Sequence, residues 1–254
     1  MDVMVTAGGI PKPDDPLYVY TQGKSKALAD VAGKPMVQWI LDALGKAKSV
    51  DNIVIVGLSE SDGVSCEKPL YYVPNQGSMI NNIKAGAAKI TEINPQSDYC
   101  MIASSDVPTI TPDMVDWVAS SALETDHDVY FNVIERSVME KRFPGSKRTY
   151  TKLKGIQLCG GDINVIRTFA ITAQEELWNK MEANRKNPLK QAMTVGLDTL
   201  FLILFRLVDH EGAARYATKS LGLKCRAILC PHAEIGMDVD KPHQLELLAA
   251  DLSK

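Results

Sequence analysis

Three groups of residues in this sequence have the types and spacing to do chemistry on an anion. The first is Gly8-Gly9, which follows the run Val3-Met4-Val5-Thr6-Ala7 and precedes a long loop carrying Lys12, Lys24 and Lys26. Glycine lets backbone N–H groups approach an anion with no Cβ in the way, and lysine supplies countercharge. A strand-to-loop edge in an α/β sheet is where such ligands usually sit. The favoured reading is a loop that wraps nucleotide phosphates, set against an ordinary turn with solvated lysines.

The second and third groups are acidic. Asp106 ends the apolar run Tyr99–Ala103 in Ser104-Ser105-Asp106-Val107-Pro108, and Asp238 and Asp240 stand beyond the last apolar run, Arg226–Leu229. A carboxylate at a strand's end is well placed to hold a hard divalent cation over phosphates, and Mg²⁺ typically takes one or two carboxylates plus phosphate oxygens and water. Asp106 and Asp238 supply that set. Asp240, just before Lys241-Pro242, is expected to cap the final helix.

Positioning these groups requires alternating strands and helices, and the chain reads that way. Asn52–Gly57 is apolar throughout, as a central parallel strand buried on both faces should be. Leu70–Val73, Asp128–Ile134, Ile156–Cys159 and Ile163–Ile166 are further strand candidates. Pro35–Lys48 and Ser78–Glu92 carry apolar stripes of helical spacing. Thr111-Pro112-Asp113 opens another helix, with the threonine as cap. Glu135–Gly155 reads as irregular and basic, with Arg142 and Arg148 among seven cations. Three helices follow, the first with Thr172 and Glu175 as a capping box, the second after Pro188, the third from Asp209 to Gly222. The expected architecture is a three-layer α/β/α fold with a mixed, mostly parallel sheet. It forms one domain over 1–254, with a helical insertion at about 172–222.

Bulk properties exclude other classes. A net charge of −3 and a pI near 5.8 argue against a dedicated nucleic-acid binder. Five scattered cysteines read as free thiols in a reducing cytoplasm, and Cys225, Cys230 and His232 fall short of a zinc set. No secretory pattern precedes the first strand. The apolar run Leu197–Val208 is far shorter than the roughly 20 residues of a spanning helix. It reads as a buried helix, ahead of a subunit contact in a homo-oligomer or a membrane-surface contact. The four histidines are given no catalytic role.

The chain resembles the MobA-like NTP transferases, relatives of the sugar-1-phosphate and methylerythritol-phosphate nucleotidyltransferases with a GT-A-like fold. The matching pieces are Thr6-Ala7-Gly8-Gly9, Lys24-Ser25-Lys26-Ala27-Leu28, Val31–Met36, Asp106-Val107-Pro108 and Asp238–Leu245. The resemblance implies that Ala7, Gly8 and Gly9 wrap a triphosphate and that Lys26 contacts the α-phosphate and the leaving pyrophosphate. Asp106 would bind Mg²⁺, with Asp238 as second ligand, and Ser105 would be among the nucleotide-binding residues. Asn75, Gly77 and Ser78 would lie at the base, and Gly161 and Asp162 at the acceptor. Lys12 stands where the family loop usually carries arginine; it supplies charge but no bidentate fork.

The reaction implied is attack by an acceptor, a phosphorylated small molecule or lipid-linked phosphate, on the α-phosphorus of an NTP. Arg142 and Arg148, with forks suited to phosphate, are the expected acceptor-binding residues. The alternatives are a GT-A glycosyltransferase using a nucleotide sugar, and a silent nucleotide-binding regulatory relative. For the first, Asp238-Val239-Asp240 would be the metal-binding pair; for the second, the departure at Ile10-Pro11-Lys12 is the main support.

Overall fold

The structure, a computed structural model, describes residues 1–172, 176, 178, 179 and 208–254. Its strands in chain order are β1 (Asp2–Thr6), β2 (Asp30–Val31), β3 (Lys34–Pro35), β4 (Ile53–Val56), β5 (Leu70–Val73) and β6 (Tyr99–Ser104). They continue as β7 (Val129–Glu135), β8 (Thr151–Leu153), β9 (Ile156–Gly160), β10 (Ile163–Arg167) and β11 (Cys225–Leu229). The helices are α1 (Tyr18–Thr21), α2 (Met36–Lys46), α3 (Met79–Ile93), α4 (Pro112–Leu123), α5 (Arg136–Arg142), α6 (Thr168–Thr172), α7 (His210–Leu221) and α8 (Pro242–Leu252).

Nine strands form one sheet in the order β5-β4-β1-β6-β10-β7-β9-β8, with β11 paired to β7. The pairs β1–β4, β4–β5, β1–β6 and β7–β11 are parallel; β10 runs antiparallel to both β6 and β7. This is the mixed, mostly parallel α/β/α arrangement the sequence predicts. The wholly apolar β4 is buried along its length because helices cover both faces. One layer, with α2, α4 and α8, buries Val3, Val5, Met101, Val165 and Tyr130. The other, with α3, α6 and α7, meets Met4, Val54, Val56, Cys100 and Ile166.

Local details differ from expectation in instructive ways. Thr111 is the N-cap of α4 but makes no side-chain capping bond, so proline at the first turn and Asp113 carry that start. The basic stretch 135–155 is not irregular. Arg136 pairs with Glu140 one turn on (2.7 Å) along α5, and Thr151–Leu153 forms β8. The last helix of the expected insertion is observed, with Asp209 capping α7 through a bond from the Gly212 amide (2.8 Å). Thr172 does not open the first of these helices as a cap: it lies within α6, its hydroxyl donating to the Thr168 carbonyl (3.2 Å). Glu175, the helix expected after Pro188 and the apolar run at 197–207 lie outside the described residues. The five cysteines are all free; burial pushes the Cys100 and Cys230 thiols up to about 12. No helix among the described residues is long and apolar enough to cross a membrane.

Candidate functional site

The C-terminal ends of β1 and β6 and the loop after β5 open on a cleft of about 530 Å³. Gly8 sits at its floor because nothing larger fits: an added Cβ would lie 2.6 Å from Asn82 Nδ2 and 2.8 Å from Asn75 Oδ1. Gly57, just past β4, has φ +108°, and a Cβ there would come within 2.4 Å of Gly8 Cα. The two glycines therefore let two loops touch. Gly9 faces open space.

The glycine loop is tied on both sides. Ser25 Oγ donates to the Ala7 carbonyl (2.5 Å), and the Lys26 amide donates to the Gly9 carbonyl (2.8 Å). Across the cleft, Asn75 Nδ2 donates to the Gly8 carbonyl (2.8 Å), while Asn75 Oδ1 accepts from the Gly77 amide (2.9 Å). Asn82, buried on α3, donates to Asn75 Oδ1 (3.2 Å) and accepts from the Gln76 amide (2.7 Å). Ser78 caps α3 by accepting from the Asn81 amide (3.2 Å). Ser105 is buried in the wall, its amide donating to the Thr6 carbonyl (3.3 Å).

The acidic groups converge at the cleft's other side. Ligand oxygens of Asp106, Asp238 and Asp240 all lie within 4.8 Å of one another. Asp106 is buried, accepting from Ser104 Oγ (2.6 Å), and its carbonyl accepts from the Val239 amide (3.0 Å), which binds the two acidic loops together. Lys26 Nζ lies 2.6 Å from Asp106 Oδ2 and 3.2 Å from Asp240 Oδ1, and donates to the Val239 carbonyl (3.0 Å). Burial alone would lower the Lys26 ammonium's pKa; the carboxylates of Asp106 and Asp240 outweigh it and hold it above its ordinary value. Three convergent carboxylates fit a hard divalent cation, which takes oxygen ligands.

Two expectations change here. Asp240 does not cap α8: the N-cap is Lys241, without a side-chain bond, and the Asp240 carboxylate turns to Lys26 instead. Arg142 is not free to grip a phosphate, since its Nε donates to Glu234 (2.7 Å) and its Nη1 to Asp251 (3.0 Å). Those carboxylates raise its pKa further, Asp251 foremost.

Arg148 is near the centre, paired with Asp238, and its Nε is shielded from solvent with no hydrogen-bond partner among the described residues. Gly161 and Asp162 lie between β9 and β10, where the Asp162 carbonyl accepts from the Ser104 amide (2.8 Å). Asp162 Oδ2 is likewise shielded and unpartnered among the described residues. Burial first, and the Asp106 charge second, push the Asp162 carboxyl up to about 7. Lys12 is exposed and stands outside the cleft lining.

Residues 21–169 match the family model of the MobA-like NTP transferase domain. The chain belongs to this family. The matched span includes Lys26, Asn75–Ser78, Asp106 and Asp162; Gly8, Gly9 and Asp238 lie outside it.

Within the MobA-like family setting, the chain is 26% identical over 124 residues to 3-deoxy-manno-octulosonate cytidylyltransferase of Geotalea uraniireducens (strain Rf4). That alignment spans about half of each protein, 48% of this chain and 47% of the relative. Among solved structures, a hypothetical transferase from Thermus thermophilus superposes with a TM-score of 0.82 at 27% identity, over 96% of this chain and 98% of that one. CMP:2-keto-3-deoxy-manno-octonic acid synthetase in complex with CTP shares the fold, with a TM-score of 0.60 at 14% identity over 100% and 98% of the two chains.

Missing from the sequence reading were Asn82 and Gly57. Asn82 falls in the α3 stripe as one polar residue among apolar ones, and Gly57 reads only as a strand end. A buried asparagine one turn into a helix after Asn-Gln-Gly-Ser is the available signal.

Proposed function

We propose that this protein is a metal-dependent nucleotidyltransferase. It moves the nucleoside monophosphate of an NTP to a phosphorylated acceptor and releases pyrophosphate. The observation that carries the reading is the meeting of Asp106, Asp238 and Asp240 with Lys26 at the edge of a glycine-floored cleft. A bare acidic cluster repels a triphosphate; one that holds a divalent cation, beside a lysine, attracts it.

In this scheme Gly8 and Gly9 face the triphosphate, and the Asn75–Ser78 turn contacts the base. Mg²⁺ on Asp106 and Asp238, with Asp240 in reach, would offset the charge on the phosphate oxygens. Lys26 stabilises the charge that builds on the leaving pyrophosphate. An oxygen of the acceptor's phosphate forms the new bond to the α-phosphorus as the bond from that phosphorus to the β-bridging oxygen breaks. A phosphate dianion already has the lone pair it needs, so positioning and charge are the protein's tasks. Arg148 is the cation for the acceptor, favoured by its unpartnered Nε.

CTP is the first nucleotide to test, given the cytidylyltransferase relative. Thermal unfolding with each of four NTPs, with and without Mg²⁺, should show a stabilisation that needs both for one of them. A ligand at 100 times its Kd contributes about 2.7 kcal/mol. Pyrophosphate release should then follow with phosphorylated acceptors and fall at least a hundredfold in Asp106→Asn. Turnover unaffected by that substitution would overturn the proposal.

The glycosyltransferase alternative gains one point from the structure: Asp238 and Asp240 both face the acidic cluster. Release of a nucleoside diphosphate from a nucleotide sugar, in place of pyrophosphate from an NTP, would favour it.

A further inference from the structure

The nucleotide cleft does not end at Thr6, Met79 and Ser104. The same three residues line a second cavity of about 340 Å³, which runs along the sheet between α3 and the end of α7. Its walls are apolar: Ile80 and Ile83 from α3, Ile102 from β6, Phe131 from β7, and Leu221 with Leu223 beyond. Phe131 on the sheet is 45% exposed and Met79 on α3 71% exposed, so among the described residues apolar surface is left open here.

Polar groups occur almost only at the end that joins the nucleotide cleft, and most of them are already engaged. Ser104 Oγ donates to Asp106 (2.6 Å). Asn164 is engaged by the Asn132 amide (2.8 Å) and the Gly161 carbonyl (2.9 Å). On the far wall, the Trp178 indole N–H donates to the Ala170 carbonyl (2.9 Å). Asp162 Oδ2 is the shielded oxygen left unpartnered there among the described residues. No lysine or arginine lines this cavity among the described residues.

We infer that the acceptor is amphiphilic, with its phosphate at the shared end by Thr6 and Ser104, within the cleft that Lys26 lines, and an apolar chain lying in this second cavity. The inference rests on the transferase reading and specifies its substrate class: a phosphomonoester carrying an alkyl or prenyl chain, not a free sugar phosphate. Continuity with the cleft is what selects this occupant. The polar end of the cavity, at Thr6 and Ser104, opens into the cleft that holds Asp106 and Lys26, where the α-phosphorus would be attacked.

The test is a series of n-alkyl phosphates from methyl to octyl, titrated calorimetrically below micelle-forming concentrations, with pyrophosphate release from CTP and the other NTPs measured in parallel. Affinity should rise about fourfold per methylene, the equivalent of about 0.8 kcal/mol each, until the cavity is filled. Phe131→Asp and, from the helix side, Ile83→Asn should each flatten the series, and Phe131→Leu should restore it. A geranyl phosphate arm separates prenyl from straight-chain preference. Equal affinity for methyl and octyl phosphate, or a gradient that survives both polar substitutions, would overturn the inference. Pyrophosphate release equally fast with methyl and octyl phosphate would overturn it while leaving the transferase reading intact. No release with any NTP and any acceptor would overturn the transferase reading itself.

Discussion

Where β6, β10 and β7 lie side by side, the two faces of the sheet are built to different standards. On the α4 side, Met101, Val165 and Tyr130 are fully buried. On the other, Cys100, Ile166 and Val129 are buried, but two residues along each strand Ile102 and Asn164 are only half-buried and Phe131 is 45% exposed. Alternation along a strand assigns neighbours to opposite faces, so one hydrophobic run serves two purposes. The first face is closed along its length; the second is closed at its Cys100 and Ile166 end and, among the described residues, leaves apolar area uncovered toward Phe131. Both end at the same edge, where Asp106 and Lys26 stand.

The largest effect should come from the closed face. Met101→Ala should cost on the order of 2–5 kcal/mol in urea unfolding, through lost burial and the cavity left behind. A loss below about 1 kcal/mol would erase the contrast between faces.

At the shared edge, Lys26→Ala should lower kcat by 10²–10³, on the order of 3–4 kcal/mol of transition-state stabilisation, with a smaller change in KM. A raised KM at constant kcat would assign Lys26 to ground-state binding alone.

At the polar end of the open face, Asp162 supplies a pH test in metal-free protein. Its carboxyl titrates near 7 when folded and near 4 when unfolded. Between those values the native state holds the extra proton, so its stability falls as pH rises through this window and levels off above it. Asp162→Asn should therefore be more stable than wild type at pH 8, on the order of 2 kcal/mol, and indistinguishable at pH 4. Equal effects at both pH values would show that Asp162 carries no buried charge.

The smallest effect belongs to the open face itself. Phe131→Ala should change unfolding free energy by no more than about 0.5 kcal/mol, as an exposed side chain should. A loss comparable to Met101→Ala would mean that this face is structural too.

Much of this was legible in the sequence because it is local. The unbroken apolar run of β4, the stripes of α2 and α3 and the glycine turn after β1 each declare themselves within a few residues. The legible part of the site is the set of strand-end loops: Gly8, Lys26 and Asp106 are brought together because parallel strands deliver their C-terminal ends to one edge.

What escaped was set by partners distant in sequence. Arg142 reads as a free phosphate ligand until Glu234 and Asp251 arrive from the C-terminal end of the chain. Asp240 has the spacing of a helix cap, but Lys26 provides a stronger interaction than a backbone amide would. The helix α5 hides in a charged stretch because ion pairing along one face, and not an apolar stripe, marks it.

The touch between Gly57 and Gly8 has an evolutionary consequence. Gly57 lies outside the cleft, so selection on ligand contact cannot see it directly. A side chain there would nonetheless displace the loop that faces the phosphates, and no flexible group lies in between to absorb the shift. The two positions should therefore behave as one heritable character. Lineages that keep a working glycine loop should keep both, and the loss of either should release the other to drift.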